Sequence, residues 1–185
     1  AVEAEGRRAS IHRLNIEETE AVAVFMNAVA TEHSGIHTLV YAAGPLVPLI
    51  HLSRVDPETM KKHLMQDTFG FFNVVRAALP HLRESRGSLV ACQTAAHYRY
   101  APADGLSVVP KAGVNALMKG VAKEEGRFGV RANGVALGMI EAGAASFAGC
   151  IPTILKVNSS NSLSTTKDQA VTGTVADALR LGCSA

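Results

Sequence analysis

The sequence predicts an α/β fold built on a parallel sheet. Three short apolar runs, residues 36–41, 88–92 and 130–135, have the length and near-continuous hydrophobicity of strands buried on both faces. Longer stretches with helix-start signals separate them. Strand and helix therefore alternate, as a parallel sheet requires, because its crossovers are long and usually helical. The rhythm implies helices on both faces of the sheet.

The elements follow in order. Residues 1–8 read as the end of a helix and not as a signal peptide; with no initiator Met, the chain is expected to be a piece of a longer one. Residues 10–14 are a short strand candidate. Asn15 reads as a helix N-cap with Glu18 as its capping-box partner, opening a helix over 16–33. Val22, Val24, Phe25, Ala28 and Val29 form its apolar stripe, and Ser34-Gly35 ends it. The strand at 36–41 runs into a loop at Ala42-Ala43-Gly44. Asp56 caps, and Pro57 opens, a long helix reaching about residue 82, with Pro80 expected to disturb its last turn. A strand at 88–92, a helix at 106–126 with Pro110 near its start, and a strand at 130–135 complete the regular part. Beyond Ala142 the character changes. Residues 157–167, rich in Ser, Thr and Asn, read as a flexible connection. Residues 168–181 resume a helical pattern through Ala170, Val171, Val175, Ala178 and Leu179.

Composition narrows the function classes. The chain has 185 residues, enough for one domain with a substantial core, and is 48% hydrophobic. A net charge of +2, with no Lys/Arg block, argues against nucleic acid and anionic membrane surfaces as partners. No apolar run is long enough to span a bilayer. Cys92, Cys150 and Cys183 are far apart, odd in number and without metal-ligand spacing, which fits a reducing cytoplasm. His33 and His37 are four apart, but Ser34-Gly35 breaks the helix between them, so no metal site is read there. Ala112, Ala116 and Gly120 give the 106–126 helix a face of small residues suited to close approach.

The chemistry concentrates in Thr94, Ser107 and Lys111. Ser107 and Lys111 are four apart and share a helix face, and Thr94 lies thirteen residues before Ser107. Around them stand Leu39-Val-Tyr-Ala-Ala-Gly44, Gly87-Ser-Leu-Val-Ala-Cys-Gln-Thr94 and Arg131-Ala-Asn-Gly-Val-Ala-Leu-Gly138. In order and spacing, from about residue 9 to residue 142, these segments resemble the short-chain dehydrogenase/reductase family. The resemblance implies a doubly wound, Rossmann-like parallel sheet in a single partial domain over 1–185, with 143–167 as an irregular lid or linker. No Gly-x-x-x-Gly-x-Gly turn is present, so the sheet is expected to be incomplete, lacking the first two strands and the last.

In that family a tyrosine exchanges the hydroxyl proton. A lysine lowers its pKa and holds the nicotinamide ribose, a serine orients the substrate oxygen, and an asparagine anchors a relay water. The resemblance places these roles at Ser107, Lys111, Thr94 and Asp67. Ser107 is the severe departure, because tyrosine titrates near about 10 and an aliphatic hydroxyl is far less acidic. Tyr98, Tyr100 or His97, in the loop after Thr94, are alternative proton donors, and a Ser-Lys nucleophile pair is a further reading of Ser107 and Lys111. The implied cofactor is NAD or NADP, with Asn15, Ile16, Ala43, Gly44, Lys111, Gly138 and Ile140 as its binding positions. Binding is expected to be weak or absent without the Gly-rich turn. Leu137 and Ala142 replace a proline and a threonine of the family segment. The implied substrate is a small carbonyl or alcohol, and the implied self-association runs through helices 57–82 and 106–126. The alternative is a catalytically inactive or truncated relative, acting as a binding or oligomerisation module.

Overall fold

The computed structural model describes residues 6, 8–98, 100–137, 158–159 and 170–171. Helix α1 is Thr19–His33, strand β1 is Thr38–Tyr41 and helix α2 is Pro57–His63. A π-helical segment at Leu64–Phe69 joins α2 directly to helix α3, Gly70–Ser85. Strand β2, Ser88–Thr94, helix α4, Gly105–Glu125, and strand β3, Arg131–Leu137, follow. Two-residue strands β4, Asn158–Ser159, and β5, Ala170–Val171, pair with each other antiparallel.

The three main strands form one parallel sheet in the order β1-β2-β3, with Thr38 opposite Ser88 and Ser88 opposite Arg131. The predicted strands are therefore present; β1 begins two residues after its apolar run does, and β2 and β3 each end two residues beyond theirs. Because the strands advance in one direction, right-handed crossovers put the connecting helices on one face. Burial in β2 alternates accordingly, with Leu89, Ala91 and Gln93 covered. One core gathers Val22 and Met26 of α1, Tyr41, Phe71, Val74, Val75, Ala78 and Leu82 of α3, Leu89, Ala91, and Val114 and Met118 of α4. Val40, Val135 and Leu137 are exposed. Among the described residues helices thus cover one sheet face, and the expected second layer is not among them.

Other expectations need correction. Residues 10–14 are not a strand: among the described residues no strand pairs with the outer edge of β1, and Ile11 is 98% exposed. A lone extended segment without a partner has nothing to satisfy its backbone groups but water. Asn15 does not cap α1, which begins four residues later. Its Oδ1 accepts the Glu17 N–H at 3.1 Å and its amide donates to Glu18 at 2.9 Å, so the pair closes a turn ahead of the helix. The long helix passes Pro80 and continues to Ser85. Pro80 and Arg76 both lie on the solvent side, where water can take the carbonyl that proline leaves unbonded. Ala170 and Val171, read as helical, and Asn158 and Ser159, read as part of a connection, are strand residues; β-branched Val171 suits the pleated form. The remainder of 143–167 and of 168–181 lies outside the described residues.

Asp56 caps α2 as predicted, its carboxylate accepting the Thr59 N–H at 3.0 Å with Pro57 in the first turn. Gly87, between α3 and β2, has no room for a side chain: a Cβ there would sit 2.5 Å from the His37 carbonyl oxygen. That close approach starts the β1–β2 ladder, where Ser88 N–H donates to the same oxygen at 2.9 Å.

At the far end of α3, Arg83 grips Glu125 of α4 with two hydrogen bonds, one of 2.7 Å from Nη2 to Oε1. Those bonds, first among the causes, hold the Glu125 carboxyl below the usual carboxylate range. A depressed folded-state pKa adds stability above the unfolded value of about 4.3, and that stability is lost as pH falls through the folded value. Glu125→Gln is therefore expected to lower the unfolding temperature at pH 7 and to converge on the parent protein as the pH falls through the folded value, as calorimetric scans over an acid pH series will show.

Candidate functional site

The site forms where β1 ends, α4 begins and the π segment passes between them. Gly113 of α4 makes this possible, since a Cβ there would lie 2.6 Å from Thr68 Cγ2. Without one, the π segment lies directly on α4, and Thr68 donates to the Pro110 carbonyl at 2.9 Å. The neighbouring Asp67 then faces Lys111. Lys111 Nζ donates to Asp67 Oδ1 and to the Ala43 carbonyl, both at 3.0 Å. The pair is largely withdrawn from water, with side-chain exposures of 14% for Lys111 and 4% for Asp67.

Tyr41, the last residue of β1, completes the cluster. Its hydroxyl donates to the Asp67 main-chain oxygen at 3.0 Å and lies 3.5 Å from Asp67 Oδ1. Its ring lies 5.5 Å from Lys111 Nζ, within cation–π range, and meets Phe71 edge-on at 4.9 Å. Burial first, then the adjacent Asp67 carboxylate, push the Tyr41 phenol well above its usual value, so it stays protonated and donates.

Gly44 sits against this cluster. A Cβ at Gly44 would meet Lys111 Nζ at 3.5 Å and Asp67 Oδ2 at 3.9 Å. The space that glycine leaves is thus bordered by an ammonium and a carboxylate oxygen. An ammonium has three donors. Two are committed here, and the third has no partner among the described residues.

Thr94 ends β2. Its Oγ1 accepts the Ala96 N–H at 3.2 Å, which leaves the hydroxyl proton free to donate. Ser107 lies one turn before Lys111 on α4, half-buried, with no hydrogen-bond partner for its hydroxyl among the described residues. Asp104, just before α4, has its carboxyl pushed up by burial. The Tyr100 hydroxyl lies over the start of α4, 3.0 Å from where a Gly105 Cβ would be, whereas Tyr98 is largely exposed. Burial, and secondarily Lys119, hold the His97 imidazole below its ordinary value, and neither ring nitrogen has a hydrogen bond among the described residues.

The structure therefore brings Asp67, Lys111, Ala43 and Gly44 into one cluster. Asn15 stays in the turn ahead of α1, bonded to Glu17 and Glu18, while Ile16 is held against the start of α3. Ile16 packs on Gly70, where a Cβ would come within 2.6 Å of it, and its carbonyl accepts the Asn73 amide at 3.0 Å. Gly138 and Ile140 lie outside the described residues. Sequence reasoning missed Tyr41. The available signal was a tyrosine standing third in Leu39-Val-Tyr-Ala-Ala-Gly44. Among the described residues no group of three or more His, Cys, Asp or Glu is placed to hold a metal ion, and no helix is long and apolar enough to cross a membrane.

Comparison with known proteins agrees with this architecture. A family model described as enoyl-(acyl carrier protein) reductase matches residues 1–179. The peroxisomal 2,4-dienoyl-CoA reductase of Saccharomyces cerevisiae is 35% identical over 100 residues, covering 54% of this chain and 34% of that protein. The L-fucose dehydrogenase of Oryctolagus cuniculus is 28% identical over 144 residues, covering 76% and 49%. The chain thus spans half or less of the length of these relatives. A xylitol dehydrogenase solved with NAD+ superposes with a TM-score of 0.70 at 19% identity, over 74% of this chain and 53% of that one, which speaks to the fold.

Proposed function

The chain belongs to the short-chain dehydrogenase/reductase family, and from that premise we propose that it transfers hydride between NAD or NADP and a small carbonyl or alcohol substrate. The observation that carries the reading is the Lys111 ammonium, held at two points with its third donor uncommitted among the described residues, beside the side-chain-free Gly44. That arrangement suits a sugar hydroxyl, which can accept from Lys111 and donate to Asp67 Oδ2. The nicotinamide dinucleotide supplies the hydride when bound. Lys111, Asp67, Ala43 and Gly44 are the residues that would hold its ribose.

On the substrate side, Thr94 keeps a free O–H to donate to a carbonyl oxygen, polarising it toward reduction. Ser107 stands at the position that calls for an acid. Its hydroxyl is too weakly acidic to deliver a proton efficiently near neutrality. This residue favours a second reading, a relative that binds nicotinamide without turning substrate over. Self-association through the outer faces of α3 and α4, where Phe72 and Val109 are exposed, accompanies either reading.

Ser107→Tyr restores a general acid one turn from Lys111 and is expected to raise carbonyl reduction by about 100-fold, within the range such groups contribute. Reduced nicotinamide consumption over a panel of aldehydes and ketones measures it. Unchanged turnover in an active parent assigns the proton to another donor, with Tyr100 first in line. Absence of nicotinamide binding by fluorescence titration, in parent and variant alike, would refute the proposal.

A further inference from the structure

We propose that Tyr41 is a positioning residue: it sets the direction in which Asp67 presents its carboxylate and, through Asp67, fixes the Lys111 ammonium. The significance of this for catalysis rests on the nicotinamide reading above; the geometry does not. A carboxylate on a helix can adopt several rotamers, and a buried one with a single partner is poorly fixed. Asp67 is held twice by the same phenol, through its main-chain oxygen at 3.0 Å and its Oδ1 at 3.5 Å. The main-chain bond reaches Asp67 within the π segment. Its carbonyl also accepts the Gly70 N–H, which is shared with the Met65 oxygen, and a carbonyl oxygen has two lone pairs.

Tyr41 is itself immobilised. It is 3% exposed, closes β1 opposite Ala91, and has Phe71 against its ring edge. A rigid strand residue therefore fixes a helix residue, which in turn orients a cation on a second helix. Burial keeps Tyr41 from touching substrate, so its action passes through Asp67. With Oδ1 committed to Lys111 and Tyr41, Oδ2 is left toward the Gly44 space.

The test is the rate at which an N-hydroxysuccinimide ester acetylates Lys111 in the folded protein without nucleotide, read by peptide mass spectrometry, with exposed Lys119 as internal reference. Tyr41→Phe removes one oxygen and is expected to speed Lys111 labelling about fivefold while Lys119 stays constant. Asp67→Asn is expected to do the same. Adding Tyr41→Phe to Asp67→Asn should change nothing further, because residues acting through one link are non-additive. A parallel rise at Lys119, additive effects, or no change at Lys111 would each overturn the proposal. If Tyr41→Phe does not fold, 3-fluorotyrosine in a Tyr98→Phe/Tyr100→Phe background makes the Tyr41 phenol a stronger donor. Lys111 labelling must then slow; an unaltered rate is a refutation. Repeating the measurement with NADPH reads the functional proposal separately: an unprotected Lys111 counts against nicotinamide binding and leaves the Tyr41 link standing.

Discussion

Lys111→Met is expected to cost about 3–5 kcal/mol of folding stability at neutral pH, the usual penalty for removing one partner of a buried ion pair. The substitution would leave the Asp67 carboxyl without its cation while nearly all of that side chain stays out of water. Neither Tyr41, which donates a single proton, nor the exposed Gly44 backbone replaces an ammonium. The cost should be largely recovered in Asp67→Leu/Lys111→Met, where two apolar side chains fill the same volume and no unpaired charge remains. Urea unfolding of the parent, the single and the double variant decides the matter. A deficit under about 1 kcal/mol for the single variant would mean that water screens the pair as it screens surface ones. The same experiment separates stability from activity. The double variant is expected to fold well and to lose nicotinamide binding.

Phe71→Ala is expected to cost about 3–5 kcal/mol, the range for emptying a fully buried aromatic position. Phe71 is 0% exposed and lies in the first turn of α3, inside the core shared by α1, the sheet and α4. Its effect should reach beyond the cavity, because its ring supports the edge of Tyr41. Phe71→Leu refills part of the volume and should recover about half the loss, but not the aromatic contact with Tyr41. The two variants are therefore expected to differ strongly in unfolding midpoint and little in the mobility of Tyr41, which side-chain NMR of the tyrosine rings would report. Equal stability of Phe71→Ala and the parent would mean that the α3–sheet contact is looser than the structure shows.

Much of this was legible before any coordinates. The three parallel strands declare themselves because a strand of a parallel sheet is nearly all apolar, and Leu39, Val40, Leu89, Val90 and Val135 make that plain. Asp56-Pro57 announces the start of α2 for a local reason, the capping geometry. The family resemblance implied that Asp67 and Lys111 share one site, and the two meet at 3.0 Å. What escaped depends on tertiary context. Residues 10–14 carry strand-like composition, but a strand exists only with a neighbour, and pattern alone does not reveal whether one is there. Pro80 reads as a helix disturbance unless its carbonyl partner is known to face solvent. Tyr41 reads as one more apolar strand residue, since its role arises only when a wide turn in another helix brings a carbonyl within reach of its hydroxyl.

The widened turn at Leu64–Phe69 also bears on how this chain can tolerate change in length. A π turn holds one residue more than the α turn it interrupts. Deleting a residue from an ordinary helix rotates everything beyond it by about 100°. Deleting one here would instead let the helix regularise, so Ile16, Asn73 and the core face of α3 could keep their neighbours while Asp67 alone swung out of line with Lys111. A single-residue deletion in this segment is thus expected to separate the fold from the ion pair. A shortened descendant of this sequence could remain a well-packed protein and yet have lost the feature that distinguishes its chemistry.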